Sequence, residues 1–366
     1  MSRYTERIEH LSQQLEMHSL DCLVLIPGAN FTYFTGLRKD LSERPFVGFF
    51  PASGRPTFIV PRLEQRATEE SLPYDANFYV YTDDEGYERA FERACLDLVG
   101  KRLGIEYRSM RLLELRQIEK NAPGSSFEEA DPFLAQLRMV KDAEEIATMR
   151  EAIRISEEAL QATLDQVRPG QTEMEIQNLL HIELLHRGAH GMGFDPLILS
   201  GPRAALPHAT AADRTLQPGD CLIIDFGGKI GSYTADITRT VAIGTDNPEW
   251  KEIYEAVKKA NAAARRLAKP NINAEDVDRV ARSVIEKAGY GEYFTHRTGH
   301  GLGLDVHEPP YIVAGDKTPL RPGITFTIEP GIYIPGKYGV RIEDDVLITE
   351  DGCETLSTFP RELIAI

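Results

Sequence analysis

The chain has 366 residues, 42% of them hydrophobic, with 41 lysines and arginines against 57 aspartates and glutamates and a formal charge of −16. That length predicts two domains, each with room for a core. So acidic a balance argues against nucleic acid and anionic membranes, both of which attract basic patches, and is compatible with sites that hold cations.

The opening segment, residues 1–21, is charged and amphipathic, with Leu11, Leu15 and Leu20 roughly on one helical face. It has no apolar core of a signal peptide, and no apolar run in the chain approaches membrane-spanning length, so the expected location is the cytoplasm. Residues 21–27, 46–51 and 57–61 read as strands, residues 87–100 as a helix, and 102–107 as a further short strand. This is an α/β pattern. No GxGxxG or GxxxxGK[ST] occurs at its strand-to-helix turns, so nucleotide binding has no support. A charged connector over 135–146 leads into a long helix, with Asp142 as N-cap and Glu145 three residues on. The domain boundary falls near 125–140, giving a first domain over 1–130 and a second over 136–366. The four cysteines, Cys22, Cys95, Cys221 and Cys353, are widely spaced without a CxxC pair. Buried free thiols fit that spacing better than disulfides or a thiolate zinc site.

The second domain repeats itself. Residues 168–176 (RPGQTEMEI) match 269–277 (KPNINAEDV), each a proline turn, an N-cap (Thr172, Asn273), an acidic first turn and a new helix. Residues 216–225 (LQPGDCLIID) match 320–329 (LRPGITFTIE) roughly a hundred residues later, so each half is two helices, a loop, a Pro-Gly turn and a strand. Each strand ends on a carboxylate, Asp225 or Glu329. Halves related by a pseudo-two-fold axis bring those acids together.

Asp225 follows an apolar run, and a lone buried carboxylate is costly unless it is paired or binds a cation. A hairpin centred on the glycine-rich turn at 227–231 sets Asp225 opposite Asp236, with Cβ atoms about 5 Å apart. Like charges at that distance repel unless a proton or metal lies between them. The second half repeats this, with a turn around 335–337 and Glu343 opposite Glu329, although Pro330-Gly331 can introduce a bulge. Four carboxylates with one imidazole suit a pair of Mn²⁺, Co²⁺, Fe²⁺ or Zn²⁺ ions better than a structural zinc. Two such ions can hold a bridging hydroxide and polarise a carbonyl.

Which histidine completes the set is open between His296 and His300, in the segment THRTGHGLGLDVHEPP (295–310). Gly299, Gly301 and Gly303 make a helical HxxxH site poor and a glycine-rich loop or strand edge the better reading. His208 precedes the Asp225 strand much as His307 precedes that of Glu329. His10, His18, His181, His186 and His190 read as helical surface.

These motifs resemble the creatinase/prolidase/methionine-aminopeptidase group, the pita-bread metallopeptidases, and most closely the Xaa-Pro dipeptidases (prolidases) and Xaa-Pro aminopeptidases. The resemblance covers residue 136 to the end and, less specifically, the first domain at GANFTYFTGL (28–37). It implies a creatinase-like α/β amino-terminal domain and an α+β pita-bread catalytic domain with an internal pseudo-two-fold duplication. It implies metal ligands at Asp225, Asp236, His300, Glu329 and Glu343, with Asp236 and Glu343 bridging two divalent ions, manganese favoured. His208, His296, His307 and Arg341 match residues that bind substrate or support the ligands in proline-specific members, and Tyr333 a common site tyrosine. The implied reaction is hydrolysis of the first peptide bond when proline follows it, on dipeptides or short peptides. In it Glu329 shuttles a proton while binding metal, His307 and His208 hold the carbonyl or developing oxyanion, and His296 shapes the wall. Arg341 orients Glu343 or meets the substrate carboxylate. A homodimer is implied by resemblance. Chain size favours the dipeptidase over the aminopeptidase acting on longer peptides. A catalytically inactive binding protein and a metal-free hydrolase are both disfavoured by the complete ligand set.

Overall fold

The computed structural model describes residues 2–244 and 248–366, so Met1 of the opening segment lies outside them. Contacts divide the chain into two compact units, Met1–Arg138 and Met139–Ile366.

The first unit opens with α1 (Arg3–Met17), capped by Ser2, whose hydroxyl accepts the Thr5 N–H, and Leu11, Leu15 and Leu20 are all buried. Six strands follow: β1 (Cys22–Leu25), β2 (Val47–Pro51), β3 (Thr57–Pro61), β4 (Asn77–Tyr81), β5 (Arg102–Ile105) and β6 (Ser126–Glu129). They form one mixed sheet in the order β4-β3-β2-β1-β5-β6. Its helices are α2 (Ala29–Thr35), α3 (Arg62–Ser71), α4 (Glu88–Ala94), α5 (Leu112–Asn121) and α6 (Asp131–Met139). The GANFTYFTGL segment is α2, ended by Gly36 in the left-handed conformation, φ +73°. Two expectations are corrected. The helix over 87–100 stops at Ala94 and becomes a 3₁₀ turn at Leu96–Leu98, which buries Leu98 beside Phe91 and Cys95 before Gly100 (φ +70°) turns the chain into β5. Residues 135–139 are not connector but the last turns of α6.

The second unit shows the duplication as paired elements. Its first half holds α7 (Ala143–Leu164), α8 (Glu173–His186), β7 (Leu197–Ser200), β8 (Cys221–Phe226), the short hairpin β9 (Lys229–Ile230) and β10 (Tyr233–Thr234), and β11 (Ile237–Ala242). The second holds α9 (Pro248–Leu267), α10 (Ala274–Lys287), β12 (Gly299–Gly301), β13 (Glu308–Ile312), β14 (Thr325–Ile328), β15 (Gly331–Ile334), β16 (Tyr338–Arg341), β17 (Asp344–Ile348) and β18 (Cys353–Thr355). Sheets β11-β8-β7 and β13-β12-β14-β17-β18 carry the repeat. The caps match: Glu175 accepts the Thr172 N–H at 2.7 Å and Asp276 that of Asn273 at 3.1 Å, while bridges join Thr172 to Thr215 and Asn273 to Pro319. Asp142 and Glu145 form the expected capping box on α7. His190 lies past α8, not on it, and its Nδ1 accepts the Gly231 N–H.

Both faces of β8 are covered. Leu222, Ile224 and Phe226 join the core under α7 and α8, while Cys221 and Ile223 join the core of Trp250, Tyr254 and Val257 on α9. The period of two makes Asp225 the continuation of the Cys221–Ile223 face, which is why a carboxylate ends up inside.

A second buried charge sits at the unit's start. Lys141 is buried, pairs with buried Glu308 and donates to Met139 O at 3.3 Å. Removing one partner of such a pair strands the other, so Lys141→Met should cost about 3–5 kcal/mol in a urea titration. The double variant Lys141→Met, Glu308→Gln should regain part of that loss.

Candidate metal centre

The first hairpin carries a register correction. Asp225 lies across from Thr238, not Asp236. The same register continues as Ile230 opposite Tyr233, so the tight turn is Gly231–Ser232, one residue further along than expected, with Gly231 at φ +59°. Moving the turn by one residue shifts the pairing by two, and a shift of two keeps every side chain on its face. Asp236 therefore still shares a face with Asp225. The ladder parts beside it: a Cβ on Gly227 would lie 1.6 Å from Ala235 O, and the Asp236 N–H turns away to Asp345 Oδ2 at 3.0 Å. In the second half Ile328 pairs with Asp344 and Gly331 with Arg341, so Glu329 faces Glu343 with no bulge at Pro330–Gly331.

His300 is the middle residue of β12, between β13 and β14. Glycine flanks it because the strands close tightly: a Cβ on Gly299 would lie 1.8 Å from Thr327 O and one on Gly301 2.3 Å from Pro309 O. Its Nδ1 sits 3.2 Å from Gly301 O, which leaves Nε2 aimed at the acids, 3.3 Å from Glu329 Oε1 and 3.6 Å from Asp236 Oδ2. Donor atoms of Asp236, His300 and Glu343 all lie within 4.8 Å of one another. Asp225 Oδ1 and Glu343 Oε1 are buried without a hydrogen-bond partner. Buried, unpartnered carboxylate oxygens converging with one imidazole fit an oxygen-rich divalent cation site.

The electrostatics point the same way. Burial, then the charges of neighbouring acids, pushes Asp236 and Glu343 well above the usual carboxylate range. Burial raises Asp225 as well, against the pull of Arg341. Glu329 differs: burial alone would raise it, but the hydrogen bond and attraction from His300 outweigh burial and hold it low.

These acids and His300 line a cavity of about 620 Å³ with His208, His296, His307, Arg297 and Arg341. His307 stacks edge-on against His300, ring centroids 4.1 Å apart; the residue is exposed on its outer side, yet desolvation of its ring against the cavity wall and then His300 bring its pKa down to about 4. His296 bonds Tyr333 Oη at 2.9 Å, and burial lowers its pKa too. His208 stands exposed at the cavity edge. Tyr333 is not in the wall but behind it, between His296 and Arg341. Arg341 does not orient Glu343. It binds the Asp225 carboxylate and donates to Tyr333 Oη at 2.7 Å and Thr238 Oγ1 at 3.2 Å. Glu343 is held instead by the Thr238 hydroxyl at 2.6 Å.

Sequence reasoning missed Thr238, Asp345 and Arg297. The first had a signal, since Thr238 is two residues past Asp236 on the same strand face. Asp345 and Arg297 had none, because their partners come from distant segments.

With this geometry in view, comparison with known proteins is direct. Residues 147–350 match the model of metallopeptidase family M24, and residues 7–140 that of the creatinase/prolidase N-terminal domain. The chain belongs to metallopeptidase family M24, with a creatinase-type amino-terminal unit and a pita-bread catalytic unit. It is 35% identical to a Xaa-Pro dipeptidase of Pyrococcus horikoshii over the whole of both chains. The structure of a recombinant prolidase from Thermococcus sibiricus superposes with a TM-score of 0.96 at 36% identity, over 100% of each chain. An X-Pro aminopeptidase from Thermotoga maritima gives 0.88 at 35% identity, covering 98% of this chain and 99% of its own. Membership of this family implies divalent metal ions, and among the described residues no helix is long and apolar enough to cross a membrane.

Proposed function

We propose that the protein is an Xaa-Pro dipeptidase that cleaves the bond between an amino-terminal residue and a following proline with the help of two divalent cations, manganese favoured. The observation that carries this reading is the set of Asp225, Asp236, His300 and Glu343, all buried, with half-buried Glu329 beside them, opening into a histidine-lined cavity. Those five residues would hold the cations. When bound, divalent cations in such a site acidify water and polarise the scissile carbonyl.

The remaining chemistry belongs to the chain. Glu329, ionised and partly open to the cavity, takes a proton from the attacking water. As oxygen bonds to the carbonyl carbon and the C–N bond breaks, Glu329 returns that proton to the proline nitrogen. His307 and His208 donate hydrogen bonds to the oxygen on which charge develops. Arg341 and Tyr333 keep Asp225 in place beside the substrate's amino group, and His296 holds Tyr333 from the other side.

The comparably similar X-Pro aminopeptidase supports a second reading, activity on longer peptides. Assays of Ala-Pro against Ala-Pro-Ala with Mn²⁺, Co²⁺, Zn²⁺ and Fe²⁺ in turn separate the two. Faster turnover of Ala-Pro is expected; turnover of Ala-Pro-Ala alone would replace the dipeptidase with the aminopeptidase, and hydrolysis of neither would end both. A homodimer and a cytoplasmic location complete the proposal, the latter in keeping with four free cysteines, three of them buried.

A further inference from the structure

The buried face of α9 carries an amide among small apolar side chains. Val257, Ala260, Ala264 and Ala268 lie in the core that α9 shares with Ile328 and Ile342, and Asn261, one turn past Val257, is fully buried with them. An apolar residue would fit there, and a buried amide is costly unless it is bonded. Asn261 is bonded at both ends. Its Nδ2 donates to Ile328 O and to Asp344 Oδ2, each at 3.0 Å, and to Ile342 O at 3.4 Å, while its Oδ1 accepts the Arg265 Nε–H at 2.8 Å. Three acceptors at one end and a donor at the other allow the amide a single orientation. Asp344 does not depend on it for neutralisation, since Arg239 at 2.9 Å and Arg361 at 2.7 Å already pair with that carboxylate.

Ile328 and Ile342 are the residues directly before Glu329 and Glu343. Between the Ile328–Asp344 pair and the Gly331–Arg341 pair the second hairpin opens. Each glutamate turns its N–H away from the opposite strand, Glu329 to Thr298 O at 2.8 Å and Glu343 to Thr238 O at 3.1 Å. The bond across the opening, from the Ile342 N–H to Pro330 O, is long at 3.5 Å. The Asn261 amide reaches both strands at this place, from the core side. We propose that Asn261 is a positioning residue: by tying Ile328 to Ile342 it sets how far apart the backbones of Glu329 and Glu343 stand, and so how tightly the centre holds its cations. The inference rests on the reading of those glutamates as cation ligands. A ladder opened at its ligands lets the two carboxylates spread, whereas a cation site tolerates ligand distances within only about 0.2 Å. Supporting contacts behind the ligands are worth about tenfold to a hundredfold in metal affinity or activity. Asn261 meets neither cation nor substrate, so its effect passes through the two glutamates.

The test compares wild type, Asn261→Ala, Asn261→Gln and the control Val257→Ala, which thins the same core and removes no hydrogen bond. Calorimetric titration of the metal-stripped proteins with Mn²⁺ gives a readout independent of turnover. For Asn261→Ala the expected result is a Kd for Mn²⁺ raised about tenfold to a hundredfold. Its kcat for Ala-Pro at saturating Mn²⁺ should fall about tenfold with KM within about threefold, because the lost contact acts on the ligands and not on substrate binding. Asn261→Gln keeps the amide on a longer stem and should bind Mn²⁺ more tightly than Asn261→Ala. Val257→Ala should stay within about twofold of wild type in Mn²⁺ affinity even where its melting temperature falls as far. Should Asn261→Ala not fold, Asn261→Ser, too short to reach both strands, is read against the same limits. Mn²⁺ affinity of Asn261→Ala within about twofold of wild type, an equal loss in Val257→Ala, or no gain in Asn261→Gln overturns the proposal. A wild type that binds Mn²⁺ but cleaves no Xaa-Pro peptide overturns the functional reading instead, and the titration then decides the role of Asn261 alone; a wild type that binds no divalent cation overturns both.

Discussion

Glu329→Gln should lower kcat/KM for Ala-Pro by about a thousandfold or more, the upper part of the range for losing a general acid–base group. The substitution keeps size and shape and removes both the negative charge and the basic oxygen. Asp225, Asp236, His300 and Glu343 remain, so metal analysis should still find bound cation and the melting temperature should stay close to wild type. The expected size follows from two features. Glu329 faces Glu343 across the second hairpin, beside His300 Nε2 at 3.3 Å, and it alone of the four acids is held ionised by its surroundings. Activity within about tenfold of wild type would assign the proton transfer elsewhere.

Stripping divalent cations with a chelator should abolish turnover and make stability fall as pH rises from about 5 to 8. Without a cation, burial and mutual repulsion raise Asp225, Asp236 and Glu343 above their unfolded-state values. Between the unfolded and folded pKa values the folded chain holds protons that the unfolded chain has released. Folding then takes up protons, and stability declines with pH from the ordinary carboxylate range upward. Glu329 is shifted the other way, so its contribution is lost only below that range, outside this window. The lowered His296 and His307 oppose the three acids up to the ordinary imidazole range, so the decline is steepest above it. When the acids share a cation in place of protons the dependence should flatten. Thermal melts of stripped and manganese-loaded protein at three pH values check this; a stripped protein that gains stability towards pH 8 would contradict it.

How much could be read beforehand differed between the two hairpins for a physical reason. In the second, Pro335-Gly336-Lys337 leaves one place for the turn, with Gly336 at φ +72°, and the pairing of Glu329 with Glu343 follows. In the first, Gly227, Gly228 and Gly231 offered several turns, and only Gly231 adopts positive φ, which moved the pairing by two residues. The common face of Asp225 and Asp236 survived because side chains alternate with period two. The choice between His296 and His300 was not readable from spacing. It depends on β12 lying between two strands brought from elsewhere in the sequence. Arg297 was invisible for a related reason: in the sequence it is a basic residue in a loop, and only the fold places it in the cavity wall.

Hydrogen bonds at three of the acids run between the two repeats. Thr238 reaches Glu343, Arg341 reaches Asp225, and Asp345 receives the Asp236 N–H. Neither repeat owns a complete donor set, so an ion seated among them is a crosslink between segments roughly a hundred residues apart, and closing a loop of that length changes chain entropy only slowly with further length. Lengthening the surface loops between the repeats should therefore weaken the crosslink little, while severing the protein into separate repeats would divide the binding site itself.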